Sequence, residues 1–426
     1  MKKLSIILLI IILVLCGCSH GEEEQATTAA ENLMPMGEIK IQCEEEPGEE
    51  YQDAKVIASW IPGNDEDAGS SKIMLGDDNA EIKLRGNTSK EAVKKAYNIK
   101  LEEPVDLLGM KSGKKWALVS NPFEKTMLRP VIGFGLATAM GIEYTSEVRL
   151  CEVWINDQWM GVYSVMEPVE AGEGRVEIDP DNGDFLLERN INRTEEDKIY
   201  VESYQGFRFE FNEPEEPNEE QIRQCETLLK QAEDAIYTGN HRKYSKYIDV
   251  DSFVDFYILH EVVKDIDFGE YSTRYYFKDG VMYAGPPWDL DFTMGNVAVD
   301  KDEDKYLVYN VDGDFYGSAK ELWAYGEDYY YALCQDPWFM DKVASRWSEV
   351  RATVENLATD NELGINVIDK YMTEYRETLE KDFEIYGQQV HMSEWQKPGK
   401  TYLDNVEMLR NWIIKRVEYL DTQFIE

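Results

Sequence analysis

The sequence predicts an α+β fold in two lobes, a strand-rich first lobe and a mainly helical second one. Two observations carry this. Between about residues 37 and 170, apolar and polar residues alternate with the period of strands, whereas beyond Gly183 the apolar residues recur every three or four positions. A third sets the scale: 426 residues, 43% hydrophobic and 12% aromatic, bury more than a single small core and exclude a disordered acidic chain.

The first residues read as an address. Lys2 and Lys3 precede an apolar run from Leu4 to Leu15, which is short for a membrane-spanning helix and suits a secretory signal. Leu15-Cys16-Gly17-Cys18 resembles a bacterial lipobox. That resemblance implies a signal peptide over residues 1–17, acylation of Cys18, and an exported lipoprotein held to the cell membrane outside the cytoplasm. An uncleaved anchor is the alternative. Residues 18–36 are polar and acidic and read as a flexible tether.

In the first lobe, residues 37–170, Ile82 and Leu84 alternate with charged neighbours, as Tyr97, Ile99 and Leu101 do with Asn98 and Lys100. Val148–Ile155 and Trp159–Met166 flank Asn156-Asp157-Gln158 and predict a hairpin. One helix is expected from about Lys125 to Met140, with Gly141 closing it. In the second lobe, residues 171–426, Ile222, Cys225, Leu229, Ala232 and Ile236 make one face of a helix over Glu219–Tyr237. Asp251 or Ser252 can cap a helix running to about Lys264. Further helices are expected near Ala319–Cys334, Pro337–Leu357, Leu363–Ile385 and Thr401–Gln423, and a loop over Asn212–Glu220.

Charge narrows the partners. With 44 Lys+Arg against 84 Asp+Glu the net charge is −40, which argues against nucleic acid and against an anionic membrane surface. Glu81–Pro130 reverses the balance, with eleven basic residues against six acidic ones. This is either a solvated basic face or a landing site for an anionic ligand. Cys43, Cys151, Cys225 and Cys334 are widely spaced, so neither a disulfide scaffold nor a zinc cluster is expected. His260, in an apolar helical stretch, reads as a core histidine.

The chemistry concentrates between Lys264 and Gly295. Asp265-Ile266-Asp267 follows a helix, Ser272–Phe277 and Val281–Ala284 form a hairpin around Lys278-Asp279-Gly280, and Trp288-Asp289-Leu290-Asp291 ends it. Acidic loops at both open ends of a hairpin offer hard oxygen ligands for Mg²⁺ in the order used by phosphoryl-transfer enzymes. The plain alternative is two acidic turns. Upstream, Arg85-Gly86-Asn87-Thr88-Ser89 allows close backbone approach to a phosphate. By strand parity with Tyr97, Ile99 and Leu101, Lys95 points into the cleft and Lys94 away from it. Arg129 either reaches the same phosphates or pairs with Glu124.

Taken together, these segments resemble the CotH kinase-like family. The match runs through Arg85–Ser89, Lys94–Leu101, Asp106–Met110, Lys115-Trp116, Leu128-Arg129, Gly161–Glu167 and Asp184–Glu188. It continues through Asp267, Ser272–Asp279, Gly285–Asn296, Asp336–Phe339 and Arg346-Trp347, covering roughly residues 40–355. The resemblance implies an atypical protein-kinase-like fold that transfers phosphate from ATP, with Mg²⁺ or Mn²⁺, to protein hydroxyls. It makes Lys95 the phosphate-binding lysine beside Arg85 and Arg129, Asp267 the catalytic aspartate, and Asp289 the metal ligand with Asp291 nearby. Met166, Glu167 and Val169 become the connector bordering adenine. Ser272 stands at a second metal-ligand position where some members carry Asn, and Pro130 replaces another Asn. Ser272 therefore implies one-metal binding or reduced activity.

Two other classes stay open. One is a weak or inactive kinase-like surface protein that binds a partner protein or a glycan. The other is a glycoside hydrolase using Asp289 and Asp291, whose spacing of two residues sets the carboxylates too close for the usual acid/base separation. The kinase reading demands that Lys95 meet Asp267 and Asp289 around one gap.

Overall fold

The computed structural model describes residues 35–60, 73–86, 90, 92–191, 198–296, 317–387 and 399–425. The expected signal segment with Cys18, the expected tether up to residue 34, and Asn87–Ser89 lie outside the described residues. The fold is α+β.

Seven strands close into a barrel: β1 (Gly37–Cys43), β2 (Gln52–Trp60), β3 (Ile73–Arg85), β4 (Ala96–Val105), β5 (Gly113–Val119), β6 (Val148–Ile155) and β7 (Gln158–Met166). Their order is β1-β2-β3-β4-β5-β7-β6, and β1 closes the ring by pairing in parallel with β6. The alternating residues point inward as predicted. Ile82, Tyr97, Ile99, Leu118, Val153 and Val165 fill the barrel, each at most 2% exposed. The predicted hairpin is β6–β7. Its turn residues Asn156 and Asp157 both take positive φ, 49° and 62°, the geometry that matches strand twist.

Helix α1 (Arg129–Ala139) crosses between β5 and β6. It begins four residues later than expected, at Leu128-Arg129-Pro130. Residues 121–128 instead form a buried turn stitched by Thr126 and Arg129 to the Glu124 carboxylate.

The second half departs from the mainly helical expectation. It holds a five-stranded sheet ordered β12-β11-β8-β10-β9. Its strands are β8 (Phe185–Asn190), β9 (Tyr200–Glu202), β10 (Arg208–Glu213), β11 (Tyr271–Lys278) and β12 (Val281–Ala284). The β11–β12 hairpin and its Asp279-Gly280 turn were predicted; β8, β9 and β10 were not.

The helices of this half are α2 (Glu219–Ile236), α3 (His241–Tyr244), α4 (Val250–Val263), α5 (Tyr330–Leu333), α6 (Pro337–Glu355), α7 (Val367–Asp382) and α8 (Tyr402–Phe424); α2 packs on β9 and α4 on β12, α6 and α8 pack on α4, and α7 packs on β7 and α8. Asn218 and Gln221 form a capping box at α2, and Asp249, not Asp251 or Ser252, caps α4. The helix expected over Ala319–Cys334 shrinks to a turn at Ala324–Gly326 and the short α5. The Glu261 carboxylate accepts the Trp323 and Tyr325 amides at 2.9 Å, so those donors are withdrawn from any helical ladder.

The remaining sequence expectations are quickly placed. Cys43, Cys151, Cys225 and Cys334 are free thiols. His260 is a core residue stacked on Phe268, and burial pushes it down to about 3, so it is neutral. Neither ring nitrogen makes a well-formed hydrogen bond among the described residues, although Asp265 Oδ2 stands 3.3 Å from Nδ1.

Candidate active site in the cleft beside the barrel

A cleft of about 210 Å³ lies where the outer wall of the barrel, α1 and the two acidic loops meet. From the barrel come Arg85 and Gly86 at the end of β3, Ala96 at the start of β4, Val119, and Met166 at the end of β7. From the second half come Asp267, Ser272, Asp289 and Asp291, with Glu188 of β8. Pro130 and Phe134 of α1 complete the wall, with Phe123 stacked on Phe292 at 5.6 Å between ring centres.

The acidic loops are held from behind. The Asp265 carboxylate accepts the Asp267 amide at 3.1 Å, and the Asp267 carbonyl accepts the Glu270 and Tyr271 amides. The second loop is seated by a close approach of backbone. Gly133 of α1 lies so near Leu290 that an added Cβ would stand 2.8 Å from its Cδ1. Asp289 sits at φ 57° and Ser272 at φ 55°. The Ser272 hydroxyl donates to Asp289 Oδ2 at 3.4 Å, so Ser272 orients the aspartate.

Charge in the cleft is one-sided. Burial pushes the Asp291 carboxyl well above its ordinary value, and Asp289 and Asp267 push it further. It makes no hydrogen bond to another side chain among the described residues. Opposite stands Arg85, whose guanidinium burial lowers and Asp289 pulls back up. The indole of Trp288 lies between two guanidinium groups, Arg85 at 5.6 Å and Arg274 at 5.3 Å from its centre. Arg274 is neutralised by Glu188 at 2.6 Å across the β8–β11 pair.

The expected convergence holds for Asp267, Asp289, Asp291, Ser272, Arg85 and Met166, and fails for Lys95. Its ammonium donates to the Lys90 carbonyl at its own end of the strand, and it does not line the cleft. The parity argument took the apolar interior of the barrel for the cleft. The cleft lies on the outer face of β4, the side of Ala96, so Lys94 is the lysine on that side.

Lys94 does not line the cleft either. Its ammonium is buried between Asp382 Oδ1 at 2.7 Å and the Val162 carbonyl at 2.6 Å. Arg129 is fully buried in an ion pair with Glu124 and donates to the Met294 carbonyl, so it braces the acidic loop from outside the cleft. Of the connector, only Met166 faces the cleft. Glu167 pairs with Arg175 at 2.9 Å, and Val169 packs in a separate small cluster with Val176 and Tyr276.

Sequence reading assigned no site role to Glu188, Trp288, Phe123 or Phe292, and it missed the buried Lys125. Burial pushes Lys125 down to about 7. Glu188 carried the best available signal, as an acid directly after the apolar run Phe185-Leu186-Leu187.

The donor set suits a hard divalent cation. Mg²⁺ or Mn²⁺ takes oxygen ligands, and Mg²⁺ commonly takes only one or two carboxylates, the rest coming from phosphate and water. Asp291, buried beside two further carboxylates and with no side-chain partner for its carboxylate among the described residues, is the kind of group such an ion relieves. Among the described residues, no group of three or more His, Cys, Asp or Glu is placed to hold a metal ion by itself, so phosphate and water would have to complete the shell.

Comparison with known proteins adds one match. A family model described as CotH kinase protein covers residues 82–420, which include every cleft residue named above. No curated protein matches the sequence.

Proposed function

The chain belongs to the CotH kinase protein family, and from that premise we propose that it is an ATP-dependent protein kinase working in the cleft beside the barrel. The observation that carries the proposal is that Arg85 from the strand-built half faces Asp267, Asp289 and Asp291 from the other half across one gap. Arg85 binds the phosphates of ATP, and Val119, Phe134 and Met166 provide an apolar wall for the base. Asp289 and Asp291 would hold the divalent cation, with Ser272 fixing the Asp289 carboxylate. When bound, the cation supplies charge neutralisation at the phosphates. Asp267 orients a Ser, Thr or Tyr hydroxyl and takes its proton as the oxygen attacks the γ-phosphorus and the bond to ADP breaks.

The proposal extends to place. The segment up to Cys18 directs export and lipidation, so the kinase is anchored to the membrane and faces away from the cytoplasm.

The second reading, a weak or inactive kinase-like binding protein, is favoured by two observations: Lys95, which the kinase reading demands beside Asp267 and Asp289, turns to the Lys90 carbonyl and does not line the cleft, and the cleft is small. The cleft, at about 210 Å³, falls below the roughly 300–1,000 Å³ of most ligand sites. Transfer of labelled γ-phosphate by the purified protein, with Mg²⁺ and Mn²⁺ compared, decides between them. Transfer that Asp289→Ala abolishes supports the kinase. Absence of transfer to itself and to a panel of protein acceptors, with no thermal stabilisation by ATP and Mg²⁺, refutes it.

A further inference from the structure

A second described cavity, about 460 Å³, shares only Phe134 with the cleft. It lies between α1, the β6 strand with the residues leading into it, and α7. Its body is apolar, with Ile132, Leu136, Leu150, Leu357 and Val367 in the walls. Gly135 opens it: an added Cβ there meets no atom within 4 Å.

The polar groups gather at one side. Arg149 is largely buried. It donates through Nε to the Leu108 carbonyl and through Nη1 to the Val148 carbonyl. Its Nη2 has only Glu147, at 4.0 Å, and makes no hydrogen bond among the described residues. The Tyr371 hydroxyl likewise has no hydrogen-bond partner among the described residues, and it lies within the field of Arg149. A hydroxyl without a hydrogen bond among the described residues, and a guanidinium whose nearest carboxylate, Glu147 of the same lining, stands 4.0 Å away, thus border an apolar chamber in the size range of small-molecule sites. An uncharged oil would leave both donors unserved. A polar anion would leave the chamber unfilled.

We propose that this cavity binds a small amphipathic carboxylate, its apolar chain or ring against α1 and its carboxylate on Arg149 Nη2 and the Tyr371 hydroxyl. The site is independent of the phosphotransfer reading, and its test does not use activity.

The probes are decanoate and decan-1-ol, titrated into the full chain by calorimetry below their aggregation concentrations. Decanoate should bind saturably, and about tenfold or more tighter than the alcohol, since a charge-assisted hydrogen bond is worth at least that ratio. Gly135→Leu fills the chamber from an exposed, unstrained helical position and should abolish binding while leaving the melting temperature of the free protein unchanged or higher. Tyr371→Phe removes a hydroxyl that holds no other group among the described residues and should narrow the preference for acid over alcohol. The proposal is overturned if decanoate shows no saturable binding up to about 1 mM. Equal affinity for acid and alcohol, or undiminished binding in folded Gly135→Leu, overturns it as well.

Discussion

Asp382→Ala should be among the most damaging single changes in this protein, although Asp382 lies outside the cleft. Its carboxylate meets the Lys94 ammonium at 2.7 Å and accepts the Val162 amide at 2.7 Å. The two side chains are 3% and 7% exposed. They fit because β7 carries Gly161 there: an added Cβ would lie 2.5 Å from Asp382 Oδ1. Removing the carboxylate strands a buried ammonium on the Val162 carbonyl and leaves a buried N–H without an acceptor. Loss of one partner of such a pair costs about 3–5 kcal/mol.

A double substitution separates this account from simple cavity creation. Lys94→Met with Asp382→Leu removes both charges and should recover most of the loss, because a well-packed apolar pair is close to neutral in place of a buried ion pair. The loss in Asp382→Ala should also shrink as pH rises toward 10.5, the ordinary lysine value. Burial lowers the folded-state pKa of Lys94, so the folded state binds fewer protons than the unfolded one and gains stability with rising pH. Urea unfolding followed by tryptophan fluorescence measures all three. A loss under about 1 kcal/mol for Asp382→Ala, or a double variant no better than that single one, would refute the reasoning.

Two further predictions concern the cleft and its surroundings. Lys95→Met should leave phosphotransfer within about twofold of the parent, while Arg85→Met should lower it about a hundredfold or more, as loss of a preorganised electrostatic contact does; initial-rate assays on the two variants check the reassignment of the cation. Glu327→Gln should raise stability by about 1 kcal/mol at pH 8 and not at pH 4, after allowance for its partial exposure. Burial with Asp328 and Glu270 nearby raises Glu327 from 4.5 to about 7, so the folded state holds its proton more tightly and stability falls as pH climbs between those values; melting curves across that range test the sign.

Much of the site was legible because its chemistry is local. Asp267, Asp289 and Asp291 flank one hairpin, and a hairpin with an Asp-Gly turn is written in consecutive residues. The strands of the second sheet were not legible for the opposite reason. Phe185–Asn190 is buried on both faces, with only Glu188 partly exposed, so period two is absent, and Tyr200–Glu202 is too short to show any period. Lys95 marks a third limit. Parity fixed correctly which residues of β4 share a side. Nothing in one strand says that its apolar side closes a barrel while its other side lines the cleft. The shortened helix near Ala324 depends on Glu261, more than sixty residues away, beyond the reach of any local pattern.

Charge geometry leads to a final expectation about cation dependence. With Arg274 neutralised by Glu188, a polyphosphate entering the cleft meets one guanidinium, Arg85, against the three carboxylates of Asp267, Asp289 and Asp291. In a partly desolvated gap this repulsion outweighs the attraction of a single cation. ATP alone should therefore raise the melting temperature little, and ATP with Mg²⁺ or Mn²⁺ should raise it clearly. Ligand at a hundred times its dissociation constant stabilises a fold by about 2.7 kcal/mol. Chelation with EDTA should return the melting curve to that of the free protein. Asp291→Asn removes one of the repelling groups and one proposed ligand together. It should improve binding of metal-free ATP while weakening the gain on adding Mg²⁺. Stabilisation by ATP that is the same in EDTA as in Mg²⁺ would show that the carboxylates do not face the phosphates, and the assignment of this cleft as the nucleotide site would fall with it.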